Sequence, residues 1–376
     1  MRIAAAATAL LFLAATARAQ TTGLTAAPQL SRVYNAILDA RFDAVPELLR
    51  RTCGPAPQEA CQLLDLVSLW WEIQLDPHNR SRDEEFEAEA DAVIEAIEAW
   101  TEREPERAEA WFYLGGAYGA RAQWRVLRDD RLAAARDGKR IKSALERALE
   151  LDPGLDDAYF GIGLYHYYAD VAPAALRVLR WLLLLPGGDR VEGLREMLRA
   201  RSGGQLLQSE ADFQLHQIYL WYEKQPERAL ELLGELRARH PRNPLFLQLI
   251  AEVQDVYLHD LQASRRSWQE LLNLARARRV AEPEMTEVKA RLGLAGVLDR
   301  LSEREMAVEH LHAILELDPA APVGALARTY LLLGQVLDRL GRHEAALEAY
   351  RAALDHVPPG DPDRIARAAR AGLRRR

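Results

Sequence analysis

The amino-acid sequence predicts an all-α protein built from stacked pairs of amphipathic helices. Apolar residues recur every three or four positions along most of the chain, which is the period of a helix with one buried face. Alanines and prolines also recur at a matching spacing, so that small residues sit inside second helices and prolines end them. The stretch from Ala108 to Pro153 shows both features, with Trp111, Leu114 and Tyr118 early and Ala148 late.

This stretch resembles the tetratricopeptide repeat, whose first helix carries W-x2-L-G-x2-Y and whose second helix ends in a proline. The last repeat shows the same pattern, from Tyr330 and Gly334 through Ala346 and Tyr350. The resemblance implies a right-handed superhelical solenoid of about seven to eight helix pairs, in which each pair contacts only its neighbours.

The first 19 residues are typical of a secretory signal peptide. Arg2 is followed by the uncharged, mostly apolar run Ile3–Thr16, and Ala17-Arg18-Ala19 provides an A-x-A cleavage site. We therefore expect a mature chain that begins at Gln20 and is located in a bacterial periplasm or is secreted.

The composition excludes some classes of partner. The net charge of −7 argues against a general nucleic-acid binder. Beyond the signal, no run is long and apolar enough for a transmembrane helix in the mature chain, which needs about 20 residues.

The periodicity divides the chain into a flexible leader (20–28), irregular N-terminal helical repeats (29–105), a solenoid (106–361) and a C-terminal capping helix (362–376). In the irregular part we expect helices over Leu30–Leu38, Phe42–Arg51, Ala60–Leu75 and Asp83–Thr101. After Pro153 we expect helices over Asp156–Asp170, Val191–Arg201, Ser209–Tyr222, Pro226–Arg239, Leu245–His259, Leu261–Arg278, Glu284–Leu301 and Glu303–Leu317.

Two cysteines, Cys53 and Cys61, flank a loop rich in proline and glycine. In an exported protein this arrangement predicts a disulfide that closes the loop. Two half-buried thiols are the alternative. A zinc site is not predicted, because no second pair of ligands stands nearby.

The segment 172–185 is leucine-rich and interrupts the repeat pattern, so we expect an inserted hydrophobic helix there. Gly188-Asp189-Arg190-Val-Glu-Gly193-Leu194 follows it. Together with the long helix before them, these features over 157–220 resemble a tetratricopeptide family linked to inclusion-body clearance, similar to the tetratricopeptide-39 proteins. The resemblance implies an extra hydrophobic helix that packs against or crosses the solenoid; members of that family are intracellular, so we do not transfer their role.

Basic residues concentrate between Arg121 and Lys142, and Arg121, Arg125 and Arg128 fall on one helical face. This basic patch is either the solvated surface of a lengthened first helix or a docking surface for an acidic partner or lipid headgroups. Nearby aspartates, including Asp129, Asp130 and Asp137, weaken the second interpretation.

No motif in the sequence predicts an enzyme, a metal site or a cofactor. His310 and His312 are two residues apart and point away from each other on a helix, and His343-Glu344 lacks the second histidine of a zinc-protease helix. Gly161-x-Gly163 lies inside a predicted helix rather than after a strand, so it is not a dinucleotide fingerprint.

Binding in the concave groove is the function that the repeat pattern favours. The first helix of each repeat should line that groove, and we expect it to contain Phe112, Phe160, Tyr167, Tyr168, Gln214, Trp221, Tyr222, Gln248, Asp255, Arg300, Arg328 and Asp338. Aromatic side chains with one wet edge suit protein or peptide surfaces. Some of these aromatics could instead touch only the 172–185 helix.

Two functions therefore remain open. The first is an exported, non-enzymatic scaffold that binds a protein or an extended peptide in the groove. The second is a membrane-peripheral adaptor that contacts lipid through 172–185 and the basic patch over 121–142. Because asparagines are absent from the predicted groove positions, we expect no clamp for a C-terminal carboxylate.

Overall fold

A computed structural model describes residues 23–171 and 187–374, and within these ranges every regular element is a helix. The signal peptide (1–19) and the hydrophobic segment 172–185 lie outside the described residues, and so do Arg375 and Arg376. The predictions made for them are not addressed by the structure.

The helices alternate with short turns along the whole described chain. In order they are α1 (Ala27–Leu38), α2 (Val45–Thr52), α3 (Gln58–Leu75), α4 (Asp83–Arg103), α5 (Ala108–Leu127), α6 (Arg131–Leu151), α7 (Ala158–Val171), α8 (Arg190–Gly203), α9 (Gln208–Trp221), α10 (Pro226–Arg239), α11 (Pro244–Val256), α12 (Leu261–Arg276), α13 (Pro283–Arg300), α14 (Arg304–Leu317), α15 (Ala325–Arg339), α16 (His343–Asp355) and α17 (Ile365–Leu373).

Consecutive helices pack as antiparallel pairs, α1 with α2 through to α15 with α16, and α17 caps the last pair. The predicted all-α architecture of stacked helix pairs is confirmed. The pairs meet where the sequence places small residues: a Cβ atom on Gly334 would lie 2.7 Å from the ring of Tyr350, so only glycine allows α15 and α16 to approach so closely.

Local sequence signals account for several helix starts. Asp130, Asp189, Asn243 and Asp260 each accept a hydrogen bond from a backbone N–H group in the first turn that follows. Such caps satisfy N–H groups that have no partner within the helix. The starts after Asp189, Asn243 and Asp260 lie within one residue of the predicted ones.

The chain between Gly23 and Pro28 is more ordered than the predicted flexible leader. The Gly23 N–H donates to Asp152 over 3.1 Å, and the Thr25 N–H donates to Glu109 over 2.7 Å. The helix α1 already begins at Ala27. These contacts tie the start of the described chain to α5 and to the end of α6.

Candidate binding surfaces

The inner face of the solenoid is formed by the first helices of the later pairs, and the N-terminal helices α1 and α3 lie along it. The Tyr34 hydroxyl of α1 donates to Glu210 of α9 over 2.8 Å, and the Asn243 amide donates to the Leu38 carbonyl over 2.8 Å. The Arg242 N–H donates to the Asp39 carboxylate over 2.9 Å. The helix α1 and the residue after it therefore contact the fifth pair and the turn that leads into the sixth.

The helix α3 follows the same face and carries the main aromatic contact. The Trp71 ring lies 5.0 Å from Phe213 and 6.1 Å from Phe246, measured between ring centroids. Only 1% of Trp71 is exposed. One side chain of the second pair is thus enclosed by the first helices of the fifth and sixth pairs, as a core residue would be.

The end of α3 reaches the C-terminal repeats. The Lys289 ammonium group donates to the Leu75 carbonyl, and the Val323 N–H donates to Asp76 over 3.0 Å. Beyond α3, His78 lies 3.5 Å from Asp363, at the start of the cap. The N-terminal part of the chain therefore contacts the inner face along most of its length.

Burial shifts the ionisation of the groups that join these helices. Loss of hydration raises the pKa of Glu210 above its ordinary value and raises that of Tyr34 well above its own. Loss of hydration also lowers the pKa of Lys289. These groups have partners inside the chain: Tyr34 donates to Glu210, and Lys289 donates to the Leu75 carbonyl.

The structure distributes the twelve predicted groove residues over three environments. Four are buried, and five more are held by contacts within the chain. The buried ones are Phe112, Phe160, Tyr167 and Gln214. Asp255 pairs with Arg300, Arg328 with Asp363, Asp338 with Tyr350 and His343, and Gln248 with Glu252. They do not form one open surface.

The remaining three residues of the predicted set, Tyr168, Trp221 and Tyr222, lie at the ends of the first helices of the fourth and fifth pairs. The Tyr222 ring is 5.6 Å from Tyr168 and 5.9 Å from Tyr167 between centroids. Tyr168 is half-buried, and burial raises its pKa. Trp221 and Tyr222 remain 49% and 42% exposed.

The next repeat presents large side chains at the equivalent positions. Val256 is 56% exposed and Tyr257 is 38% exposed. We call Trp221, Tyr222, Val256 and Tyr257 the ledge. Sequence reasoning identified its first half and missed its second, although the two pairs stand at the same place in repeats that have the same phase.

Both halves of the ledge are held by the same turn. The Tyr222 N–H donates to the Ile218 carbonyl, and the Tyr257 N–H donates to the Val253 carbonyl, at 3.0 and 3.1 Å. Two residues later, Lys224 and His259 adopt φ values of 56° and 55°. Two turns of one geometry thus present two pairs of large side chains in the same way.

The predicted basic patch has partners inside the chain. Arg121 is buried and donates to Asp137 over 2.8 Å and to Asp91 over 2.5 Å, and Arg125 also donates to Asp137. Arg128 donates to Asp83 over 2.6 Å and to the carbonyl groups of the turn before α4. The three guanidinium groups therefore join α4, α5 and α6 instead of forming an open basic surface.

Cys53 and Cys61 are joined by a disulfide bond, with their Cα atoms 6.0 Å apart. The bond connects the end of α2 to the first turn of α3. It fixes the start of the helix that lies along the inner face.

The motif that follows segment 172–185 has a packing role. Asp189 caps α8 by accepting from the N–H groups of Val191 and Glu192, and Arg190 pairs with Glu223 over 2.5 Å. A Cβ atom on Gly193 would lie 2.6 Å from the Gly163 carbonyl oxygen. The two glycines therefore let α7 and α8 cross at close range, which explains Gly163 better than a ligand would.

No group of three or more His, Cys, Asp or Glu side chains in residues 23–171 and 187–374 is placed to hold a metal ion. Within the same ranges, none of the helices has the length and apolar character needed to cross a membrane.

Comparison with protein families identifies the last helix pair. Residues 327–355, which cover most of α15 and all of α16, match the tetratricopeptide repeat. A search of curated protein sequences finds no significant match.

Three solved structures with a similar fold are distant from this chain in sequence. The structure of the Cut9–Hcn1 hetero-tetramer from the APC/C matches with a TM-score of 0.52 at 14% identity, over 92% of this chain and 55% of the other. Yeast Tom70 matches with a TM-score of 0.44 at 13% identity, over 84% of this chain and 64% of its own. NprR in complex with the peptide NprX has a TM-score of 0.41 at 11% identity, over 92% of this chain and 82% of its own. This chain thus spans little more than half of the first protein and under two thirds of the second.

The fold and the matching repeat define a helical-repeat scaffold. The chain has the tetratricopeptide-repeat fold, and its last helix pair matches the repeat itself. The closer resemblance of 157–220 to the inclusion-body-clearance family stays a prediction.

Proposed function

We propose that this chain is an exported, non-enzymatic scaffold that binds another protein or an extended peptide at the ledge. The observation that carries the proposal is the repeated exposure of large side chains at one turn geometry in two successive repeats. Three aromatic side chains and one valine, all partly exposed on a rigid frame, offer large contact area with little loss of side-chain freedom.

The ledge is favoured over the interior of the solenoid because the interior is already filled. A partner that entered along the inner face would have to displace α1 and α3, whose residues Leu30, Val33, Leu66 and Trp71 are almost wholly buried. Removing such side chains from a core costs several kcal/mol, about 2–5 for a single leucine or isoleucine cut back to alanine. The ledge needs no such rearrangement.

Other exposed large apolar side chains in the described ranges offer no comparable repeat. They are Val126, Leu132, Val191, Leu198, Met306 and Leu317. Scattered apolar side chains are normal on a soluble surface, whereas a repeated cluster points to a contact. The likeness to Cut9 bears on the fold alone and names no partner for this chain.

Export is part of the proposal. The charged start, apolar run and A-x-A site of residues 1–19 support it, and the Cys53–Cys61 bond is compatible with an oxidising compartment. N-terminal sequencing of protein from the periplasmic fraction or medium of a bacterial host should find Gln20 first. An uncleaved chain that stays in the cytoplasm would contradict export without touching the binding proposal.

Three arginines of the basic patch give little support to the membrane-peripheral function. Arg121, Arg125 and Arg128 are held in ion pairs, so lipid phosphates would have to compete with Asp137 and Asp83. The second support, 172–185, lies outside the described residues. We therefore propose the protein-binding function alone.

Photo-crosslinking in cells tests the ledge. A photoreactive amino acid is placed at Trp221 or at Tyr257, in two separate variants, and the adducts are identified by mass spectrometry. Both positions should give the same discrete adduct, because they stand at equivalent, exposed positions of successive repeats.

Leu317 is the matched control, since it is an equally exposed apolar residue (52%) outside the ledge. A probe there should give no such adduct. The same adduct from Leu317, or none from either ledge position, would overturn the ledge as the binding surface. As a second measure, W221A should weaken partner recovery at least tenfold, the size expected of a central aromatic contact.

A further inference from the structure

The short capping helix α17 presents a face of unpaired arginines. Arg364, Arg367, Arg370 and Arg374 recur every three or four residues and are all exposed. No ion pair involves any of them in the part of the chain that the structure covers. On the opposite side, Ile365, Ala369 and Gly372 are buried, and Gly372 lies against the Tyr350 ring, so packing holds the arginines outward.

The helix α4 presents the complementary charge. Its outward side chains at the same three- or four-residue spacing are all acidic and exposed: Glu84, Glu87, Asp91, Glu95, Glu98 and Glu102. Asp91 pairs with Arg121, and Glu98 accepts from the Tyr118 hydroxyl. Within the described residues, the other four carboxylates have no partner.

The segments that lead into α4 and α17 are in contact, but within the described ranges the charged side chains of the two helices do not pair with each other. The ion pair between His78 and Asp363 joins the segment that leads into α4 to the segment that leads into α17. Even so, among the residues that the structure describes, no ion pair joins the arginines of α17 to the glutamates of α4. A protein whose net charge is −7 thus carries an arginine face and an acidic face side by side.

We propose that the arginine face of α17 docks on the acidic face of α4 in a second copy of this chain. The argument is charge complementarity between two surfaces of matched helical spacing. At about 1.5 Å per residue, α17 is about 13 Å long and fits within the roughly 30 Å of α4. Because each copy carries both faces next to each other, two copies can exchange the contact reciprocally, as in a two-fold dimer.

The character of the contact follows from its exposure. Exposed ion pairs are weak one by one and are screened by salt, so the dimer should be reversible and strongly dependent on ionic strength. Without complementarity, two molecules of net charge −7 would repel each other.

Analytical ultracentrifugation of the mature chain tests the proposal. In about 0.01 M salt, where the screening length is about 30 Å, the wild type should sediment as a concentration-dependent dimer. In about 1 M salt, where that length is about 3 Å, it should be a monomer. Monomers at every concentration in low salt would overturn the proposal.

Charge-reversal variants distinguish this specific contact from non-specific association. R367E/R370E and E87K/E95K should each weaken dimerisation at least tenfold. An equal mixture of the two should restore the dimer, because every acidic face then meets a basic one. Failure of the mixture, with both variants folded by circular dichroism, would contradict the pairing of these two helices.

R266E/R279E is the matched control, since both residues are exposed, have no ion pair among the described residues and lie outside α4 and α17. It changes the net charge as much as R367E/R370E and should leave the dimer intact. Equal loss in this control would show that net charge alone drives association. A flotation assay with vesicles of anionic phospholipid completes the test. If the wild type is monomeric and binds the vesicles strongly through α17, then the partner of the arginine face is a membrane and not a second copy of the chain.

Discussion

At the scale of single residues, burial determines the protonation state of the histidines in the interior. His216 and His240 are each 2% exposed, and loss of hydration lowers the pKa of each to about 4. Neutral imidazoles are therefore part of the folded state at pH 7. His240 lies 3.0 Å from the Ser209 hydroxyl, while the Nδ1 atom of His216 has no hydrogen-bond partner within the described chain.

Stability should consequently fall in mild acid. A histidine whose pKa is lower in the folded state contributes stability that is complete above pH 6.5 and is lost as the pH falls from 6.5 through about 4. The shift corresponds to up to about 3 kcal/mol for His216. H216Q should flatten the decline in urea stability between pH 7 and pH 4.5, whatever it does to stability at pH 7. H312Q, at an exposed histidine, should leave the decline unchanged; an equal decline in H216Q would refute this account.

At Gly193, the close contact between α7 and α8 leaves no room for a side chain. Its Cβ atom would lie 2.6 Å from the Gly163 oxygen and 2.7 Å from the Tyr167 nitrogen, and both are backbone atoms that cannot move alone. G193A should therefore lower the free energy of unfolding by about 1–3 kcal/mol, as overpacking does. G234A is the control, because nothing lies within 4 Å of that position, and it should be neutral or slightly stabilising. Chemical denaturation compares the two, and similar values would show that α7 and α8 are not held this closely.

At the scale of elements, the disulfide joins two helices that pack against different parts of the molecule. The helix α2 is short and packs mainly on α1 and α3, whereas α3 lies on the inner face. A bond between them restricts the unfolded chain to a closed loop and holds the start of α3 in place.

Removing the bond should cost moderate stability. For a loop of this length the chain-entropy estimate is about 2–3 kcal/mol. C53S/C61S should lose that amount in urea denaturation under oxidising conditions. Adding a reductant should bring the wild type to the level of the variant and leave the variant unchanged. If the reductant did not change the stability of the wild type, the bond would contribute little to the free energy of unfolding.

Sequence patterns predicted the positions of the helices better than they predicted which helix faces are covered by other parts of the chain. The spacing of apolar residues, prolines and capping side chains placed most helices within a few residues, because these signals act within one helical turn. The same periodicity could not tell an inner face open to solvent from one covered by other helices. Both require large residues at the same positions, so Phe112 and Tyr167 fitted the groove prediction and are buried.

At the scale of the whole molecule, the N-terminal helices join repeats that are far apart in sequence. Trp71 is the centre of that connection, with Phe213 and Phe246 against its ring. A repeat solenoid in which each unit touches only its neighbours would unfold in parts. The contacts of α1 and α3 link its units directly.

This connection should make unfolding more cooperative. W71A should lower stability by about 3–5 kcal/mol, the usual cost of a buried aromatic side chain. In hydrogen exchange, its amides should lose protection in α1, α9 and α11 together. W221A is the matched control, since that tryptophan is half-exposed, and it should cost less than about 0.5 kcal/mol. Loss of protection confined to α3 would mean that the inner contacts do not couple the repeats.

By itself, the sequence determined the class of the fold and the position of most helices. Those features depend on residues a few positions apart, whose spacing directly shows which face of a helix is buried. Only the tertiary structure decided that α1 and α3 cover the inner face, that Arg121, Arg125 and Arg128 are held in ion pairs, and that Val256 and Tyr257 continue the exposed pair at Trp221 and Tyr222. Each of these depends on contacts between distant repeats or on which side chains remain uncovered, and no local spacing records either.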